Sequence, residues 1–381
     1  MTIRLTDPGN DRYQRLRLIR WWDQERIRNA SALVIGAGAL GNEVAKNLAL
    51  VGIGTVWILD FDTIETANLT RSVLFRAQDV GRWKADVLAE RASEVNPDSK
   101  FVPLRSDARY DLGLHFLSQI DLVFGCLDNR EARYFVNRAC FLVQKMFIDG
   151  GLDTLNGSVS VFHAPDTACY ECTLTAADRM ELQRRISCLR DPAPETKNHV
   201  PTAPTIASII GGMQVQIGLR ALHGLETPKG KRLGLYGLSD VYFDIALEIS
   251  QECGAHASID PLPAALHTLQ ASEEDPLRSI FLHARRKWDA TELTWDFDRD
   301  LITGLTCTSC SGTRTFTGTQ KLAQEFQTCP CGGNYKAVIS IGFSGNERWG
   351  DLSFREMGFP PGHIYCALTP AGRFYFHLIP C

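Results

Sequence analysis

Residues 33–62 read LVIGAGALGNEVAKNLALVGIGTVWILDFD: a short apolar run, three glycines at G-x-G-x-x-G spacing (Gly36, Gly38, Gly41), an amphipathic segment, and a second apolar run that ends in acid. That order spells strand, glycine turn, helix and parallel strand. Gly36 permits the tight turn, Gly38 lets backbone come close to a phosphate, Gly41 lets the helix pack on the strand, and the first N–H groups of the helix face the anion. Asp60 falls where a ribose hydroxyl would be held. The stretch signals a nucleotide site without naming the nucleotide. Alone it fits a nicotinamide-dependent dehydrogenase, but the continuing acids Asp62 and Glu65 unsettle that reading.

The chain of 381 residues exceeds a typical single domain, so a large nucleotide-binding domain and a smaller appendage are expected. Forty basic residues against 44 acidic ones give no positive surplus for a phosphate backbone, which argues against nucleic acid as a partner. No apolar run approaches the roughly 20 residues of a membrane span, and the charged start is unlike a secretion signal. A cytoplasmic protein with no membrane partner is the expectation. In that setting twelve cysteines read as metal ligands or reactive thiols, not as a disulfide framework.

Outward from the glycine turn, residues 11–30 (DRYQRLRLIRWWDQERIRNA) form a basic, helix-compatible lead-in with apolar positions at Leu16, Leu18, Ile19, Trp22 and Ile27, expected as a surface helix on the sheet edge. After Asp62, the polar run TIETANLTRSVLFRAQDVGRW follows the strand where ligands bind in parallel sheets. Lys84 opens an amphipathic helix with Val87, Leu88 and Ala92 on one face; it is either an ordinary solvated lysine or a phosphate contact. A further strand, IDLVFGCLDN, ends in Cys126, Asp128 and Asn129 before the helical EARYFVNRACFLVQK. Asp128 could hold a hard divalent cation or simply cap that helix.

Six motifs in order, RYQR, GAGALGNEVAKNLALVGIG, DFDTIETANLTRS, DVGRWKA, CLDNREARYFVN and the C-x-x-C with SIIGGMQVQIGLRALHG, resemble the ubiquitin-activating-enzyme-like adenylating superfamily over about two-thirds of the chain, to about residue 256. The resemblance implies an α/β fold, a Rossmann-like doubly wound, mostly parallel sheet, in a domain over 1–260 with a crossover loop at about 173–205. It implies that ATP and Mg2+ are used to attach AMP to the C-terminal glycine carboxylate of a ubiquitin-like β-grasp protein. Gly36, Gly38 and Gly41 would then line the phosphates, Asp60 would hold the ribose, and Asp62 would lie beside the reacting phosphate. Asn68, Arg71 and Lys84 would meet phosphate oxygens and Asp128 would bind magnesium. Arg15 matches the arginine that reaches the partner's ATP in homodimers, so a homodimer is implied. Ser72 departs from the family's usual glutamine.

The cysteines sort by spacing. Cys169 and Cys172 form C-x-x-C, and Cys253 with His256 forms C-x-x-H; four such ligands suit a closed tetrahedral zinc site. The family carries cysteine pairs at both places, so His256 is a second departure. Cys307, Cys310, Cys329 and Cys331 (C-x-x-C, then C-x-C-G-G) read as a zinc ribbon, which gives two structural Zn2+ sites. Cys188, in RRISCLRDPAP, matches the crossover-loop nucleophile of members that form thioesters, and Arg184, Arg185 and Arg190 would favour its thiolate. The plain alternative is a small buried hydrophobe, as expected for Cys126 and Cys140.

DPLPAALHTLQASEEDP marks a change of character near residue 260, and 261–381 reads as a second, smaller β-rich zinc-ribbon domain. Trp288, Trp295, Phe297 and Leu301 alternate as in strands, and FPPGHIYCALTPAGRFYFHLI reads as two strands around a PAG turn. This domain would dock the substrate protein or a downstream acceptor, or else stabilise or dimerise the chain. The leading expectation is an activating enzyme that passes its substrate to Cys188 and on to a conjugating enzyme. The alternative is adenylation of a sulfur-carrier protein for thiocarboxylate formation with a sulfur donor. A dehydrogenase would leave Arg71, Lys84, Asp128 and the cysteine sets without work, and a non-catalytic scaffold would leave the acidic and basic set unexplained.

Overall fold

The computed structural model describes residues 11–187, 201–263, 266–326, 328–370 and 372–380. Their packing divides into two units. The described residues of 1–108, 120–173 and 199–259 form the first, and those of 109–119, 174–198 and 260–381 form the second.

The elements up to residue 258 are α1 (Gln24–Asn29), β1 (Ser31–Ile35), α2 (Ala39–Val51), β2 (Thr55–Leu59), α3 (Lys84–Val95), β3 (Lys100–Leu104), α4 (Leu114–Ser118), β4 (Leu122–Gly125), α5 (Arg130–Leu142), β5 (Phe147–Asp153), β6 (Asn156–Phe162), α6 (Ala176–Ser187), α7 (Pro204–Leu222), β7 (Lys231–Tyr236), β8 (Val241–Ala246) and α8 (Gly254–Ser258). The first unit is one eight-stranded sheet in the order β3-β2-β1-β4-β5-β6-β7-β8. Pairing is parallel from β3 through β5 and antiparallel from there to β8. This is the Rossmann-like α/β sheet expected from the opening stretch. Ala32, Leu33, Val34 and Ile35 of β1 are all fully buried, as a continuous apolar run demands of a strand covered on both faces. The chain builds outward from β1 to β3 and then crosses back to β4, so the switch point of the sheet lies between β1 and β4.

The residues 11–30 do not make the single surface helix their pattern suggests. They form a 3-10 turn at Leu16–Leu18 and then α1, because the Asp23 side chain accepts from the N–H groups of Glu25 and Arg26 and starts a new helix there. Leu18 and Ile19 are consequently exposed, while Ile27 is fully buried.

In the second unit, β9 (His267–Gln270), α9 (Leu277–Lys287), β10 (Thr294–Cys307), β11 (Thr313–Arg314), β12 (Gly318–Thr319), α10 (Gln320–Ala323), β13 (Tyr335–Phe343), β14 (Ile364–Thr369) and β15 (Gly372–Ile379) form a seven-stranded sheet with two helices. Its core is aromatic, with Trp295, Phe343, Phe354 and Phe376 almost wholly buried. The alternation read over Trp295, Phe297 and Leu301 falls in β10, but Trp288 is the C-cap of α9 and not a strand residue. The i, i+3, i+4, i+7 set Leu277, Ile280, Phe281 and Ala284 is the signal for that helix, and all four side chains are buried. β14 and β15 form the hairpin anticipated around the PAG turn. The 109–119 segment packs in this unit. His115 and Phe116 donate their N–H groups to Gly362 O, and Lys321 pairs with Asp111 at 2.6 Å.

Candidate functional site

Around the switch point, the carboxyl ends of β1, β2 and β4 are held together by backbone geometry that only glycine allows. Gly36 has φ +98°, and a Cβ there would lie 2.3 Å from Cys126 O. A Cβ on Gly41 would lie 1.9 Å from Gly36 O, so any larger residue would push α2 off the turn. At Gly38, the N-cap of α2, a side chain would meet nothing within 4 Å, leaving the first turn of the helix open.

Asp60 follows β2 and pins the turn: its carboxylate accepts from Ala37 N and from Asp62 N, both at 2.7 Å. Burial pushes its carboxyl up, and nearby Lys84 opposes that shift. Asp62 is bridged to Lys84 twice. The Lys84 ammonium lies 2.8 Å from its carboxylate, and the Lys84 N–H donates to Asp62 O at 2.9 Å. Lys84 is only 13% exposed, so it is not the solvated helix lysine that was the alternative reading.

The 65–72 stretch is a capped 3-10 turn. Asn68 Oδ1 accepts from Glu65 N, and Arg71 donates to Ala67 O. Asn42, fully buried in α2, ties this loop to the glycine turn. Its Nδ2 donates to Ala37 O and Gly38 O at 3.0 and 2.9 Å, and its Oδ1 accepts from Leu74 N at 3.0 Å. Asn42 directly follows the glycine motif, but its burial and its bond to Leu74 are set by the fold and carry no signal in the sequence. Ser72 is buried, with its hydroxyl unpartnered among the described residues.

The loop closes on Asp79, whose side chain is wholly buried and accepts from Arg76 N, Arg82 Nη1 and Arg91 Nη2. Burial works against this charge, but the backbone N–H of Arg76 and the two guanidinium groups outweigh it and hold the carboxyl below its usual range. Replacing Asp79 by Asn should cost about 2 kcal/mol at neutral pH. Because the folded-state pKa is depressed, that stabilisation is present above the unfolded value near 3.9 and fades as the pH falls below it. Denaturant melts of both proteins at pH 7 and pH 3 should show the gap narrow; an undiminished gap at pH 3 would remove the ion-pair account.

Beyond β4, Asn129 caps α5 by accepting from Ala132 N at 2.7 Å, so Asp128 is not the cap. Asp128 is exposed two residues past Cys126, and Asn129 Nδ2 lies 3.3 Å from its carboxylate. Cys126 itself is buried with its thiol pushed well up by burial, and Cys140 likewise, so both are core residues. The contacts therefore join Gly36, Asp60, Asp62, Lys84 and, through Asn42, the Asn68–Arg71 turn. Arg15 is exposed on the N-terminal 3-10 turn. Cys188 lies outside the described residues.

Two ligand sets are gathered. The metal-ligating atoms of Cys169, Cys172, Cys253 and His256 lie within 4.8 Å of one another, as do those of Cys307, Cys310, Cys329 and Cys331. In the first set Cys169 Sγ lies 3.6 Å from Cys253 Sγ, and His256 Nδ1 lies 3.4 Å from Cys172 Sγ and 3.3 Å from Cys253 Sγ. In the second, Cys307 Sγ–Cys331 Sγ is 3.5 Å and Cys310 Sγ–Cys329 Sγ is 3.8 Å. Tetrahedral zinc with Zn–S near 2.3 Å sets sulfur atoms about 3.8 Å apart, so both cages could hold the ion. No helix among the described residues is long and apolar enough to cross a membrane.

The chain is 29% identical over 255 residues to a sulfur carrier protein adenylyltransferase of Thermus thermophilus, covering 63% of this chain and 88% of that protein. It is 30% identical over 217 residues to ubiquitin-like modifier-activating enzyme 5 of Dictyostelium discoideum, covering 52% of this chain and 54% of the relative. Against SUMO-activating enzyme subunit 2 of the same organism, identity is 38% over 149 residues; 39% of this chain matches there, and it spans only 22% of that subunit. Crystal structures of Escherichia coli MccB share the fold. One superposes with a TM-score of 0.54 at 21% identity over 69% of this chain and 76% of MccB, and one solved with ATP gives 0.52 at 22% identity over 66% and 75%. A family model matches residues 11–255, more than half of the chain, and the protein belongs to the ThiF family.

Proposed function

We propose that the chain uses Mg-ATP to adenylate the C-terminal carboxylate of a ubiquitin-like protein, and that the product passes to Cys188 as a thioester and then to an acceptor. The observation that carries adenylation is the contact set at the switch point. An open helix N-terminus, an Asp62–Lys84 pair and an exposed carboxylate at Asp128 surround the ends of β1, β2 and β4. A carboxylate is a poor electrophile, and making it an acyl phosphate anhydride supplies a good leaving group. One carboxylate oxygen of the substrate attacks the α-phosphorus, the bond to the bridging oxygen breaks, and pyrophosphate leaves with its electron pair.

The residues fit that chemistry. The N–H groups at the start of α2 receive phosphate oxygens. Asn68 has its amide oxygen engaged by Glu65 N, and its amide N–H groups would meet phosphate. Arg71 and Lys84 bring positive charge to the leaving group, and Asp60 holds the turn and the ribose. Asp128, unspent on capping, would hold Mg2+, which supplies further charge neutralisation at the phosphates. Arg15 would act across a homodimer on the partner's ATP, where such arginines contribute on the order of a thousandfold. In this reading the adenylation domain spans 1–260, and 261–381 recruits the substrate or the acceptor.

A second reading ends in thiocarboxylate formation on a sulfur-carrier protein. What favours it is the breadth of the match to the Thermus adenylyltransferase, 88% of whose length is covered. Pyrophosphate exchange with β-grasp proteins ending in glycine tests adenylation, and no exchange with any cognate candidate would sink both readings. Cys188→Ala should abolish a thiol-sensitive adduct while sparing exchange. An adduct that survives would overturn the thioester step.

A further inference from the structure

We propose that Arg133 is a positioning residue that sets the loop carrying Asp128 by tying the ends of β4 and β5 together; the inference rests on the adenylation reading. Arg133 lies in the first turns of α5, and its guanidinium reaches β5 and the residue before Asp128. Nε donates to both carboxylate oxygens of Asp149, at 3.1 and 3.0 Å. Nη2 donates to Leu127 O at 2.6 Å and to Gly150 O at 3.0 Å. The two side chains are 14% and 9% exposed.

Leu127 is the residue before Asp128, and its carbonyl is therefore anchored to β5. On the other side of Asp128, Asn129 is anchored as the cap of α5. Asp128 sits between two fixed neighbours, so the backbone that carries its carboxylate is held on both sides. Gly125 is part of the device, because a Cβ there would lie 2.6 Å from Asp149 Oδ1 and would expel the carboxylate. Gln214 of α7 clasps the same two strands, with Nε2 donating to Gly125 O and Ile148 O, both at 2.9 Å.

A buried ion pair is not needed for stability, since apolar residues of similar volume commonly serve as well or better. What Arg133 adds over such residues is directed donors on two backbone carbonyls. Lysine cannot reproduce this together with the Asp149 contact, because Arg133 uses Nε for the carboxylate and Nη2 for the carbonyls, whereas the donors of lysine sit on a single nitrogen.

The test uses the full chain and Mn2+ with ATP, without any substrate protein. Mn2+ binding is read by electron paramagnetic resonance and stability by thermal melts. Arg133→Met should melt lower and bind Mn2+–ATP roughly 10- to 100-fold more weakly, as for partners that orient metal ligands. The double variant Arg133→Met/Asp149→Leu removes the stranded charge and should recover stability without recovering Mn2+ binding. Arg133→Lys, which keeps a cation against Asp149, should fold and still bind Mn2+–ATP more weakly. Wild-type Mn2+ affinity in either the folded double variant or Arg133→Lys would reduce the pair to a plain ion pair and overturn the proposal. An Asp128→Asn protein that binds Mn2+–ATP like wild type is a separate result: it would remove the metal role of Asp128 in the adenylation reading, and this proposal with it.

Discussion

Asp128→Asn is expected to reduce pyrophosphate exchange by about a hundredfold to a thousandfold at saturating Mg2+ while leaving the melting temperature unchanged. The substitution is nearly isosteric and removes only a charge. Asp128 is exposed, does not cap α5, and its carboxylate lies 3.3 Å from the Asn129 amide. A surface change of that kind ordinarily alters stability by less than about 0.5 kcal/mol. Its effect should therefore fall on the reaction alone, where a charged oxygen ligand to a hard cation is replaced by a neutral one beside the departing pyrophosphate. Exchange that persists near the wild-type rate would take magnesium away from Asp128 and return it to an ordinary loop carboxylate.

Metal content carries the second large effect. Two zinc ions per chain are expected, one for each four-ligand cluster. Cys307→Ser should leave one ion and unravel the end of β10 and β13. The apolar cluster beneath that end is small, comprising Ile302, Leu305, Cys307, Ala323 and Tyr335. Structural zinc in comparably small modules contributes binding free energies on the order of 10 kcal/mol, far more than so few side chains supply. Cys253→Ser should likewise leave one ion and release α8, whose Ala255 packs with Phe141, Ala164 and Cys169. His256→Cys should keep zinc, because Nδ1 is the facing atom and a thiolate can take its place. Elemental analysis finding a single zinc in the unaltered protein would remove one of the two cages, and the two serine variants would tell which.

Local chemistry made some features legible at the outset. The period of residues 33–62 and the glycine spacing required a strand–turn–helix–strand unit, since only glycine tolerates φ +98° at position 36 and the contact of Gly41 with Gly36 O. Cysteine spacing likewise named both ligand sets, because metal-binding knuckles are built from near neighbours in the chain. The helix α9 was equally legible at Leu277, Ile280, Phe281 and Ala284, and it was the alternation through Trp288 that obscured it.

Other features depended on which distant groups meet. The sequence alone could not tell a capping Asp128 from a free-standing one, because Asp and Asn are both good caps; the fold made Asn129 the cap. Nor could it tell that Asn42 would reach Leu74, that Arg133 would span Leu127 and Gly150, or that 109–119 would pack with the second unit. Residue type and periodicity determined the α/β class, the glycine turn and the two clusters that could hold a metal. Tertiary structure decided how the strand-end loops are braced, because a buried hydrogen bond between residues far apart in sequence leaves no periodic trace and exists only once the sheet has brought its partners together.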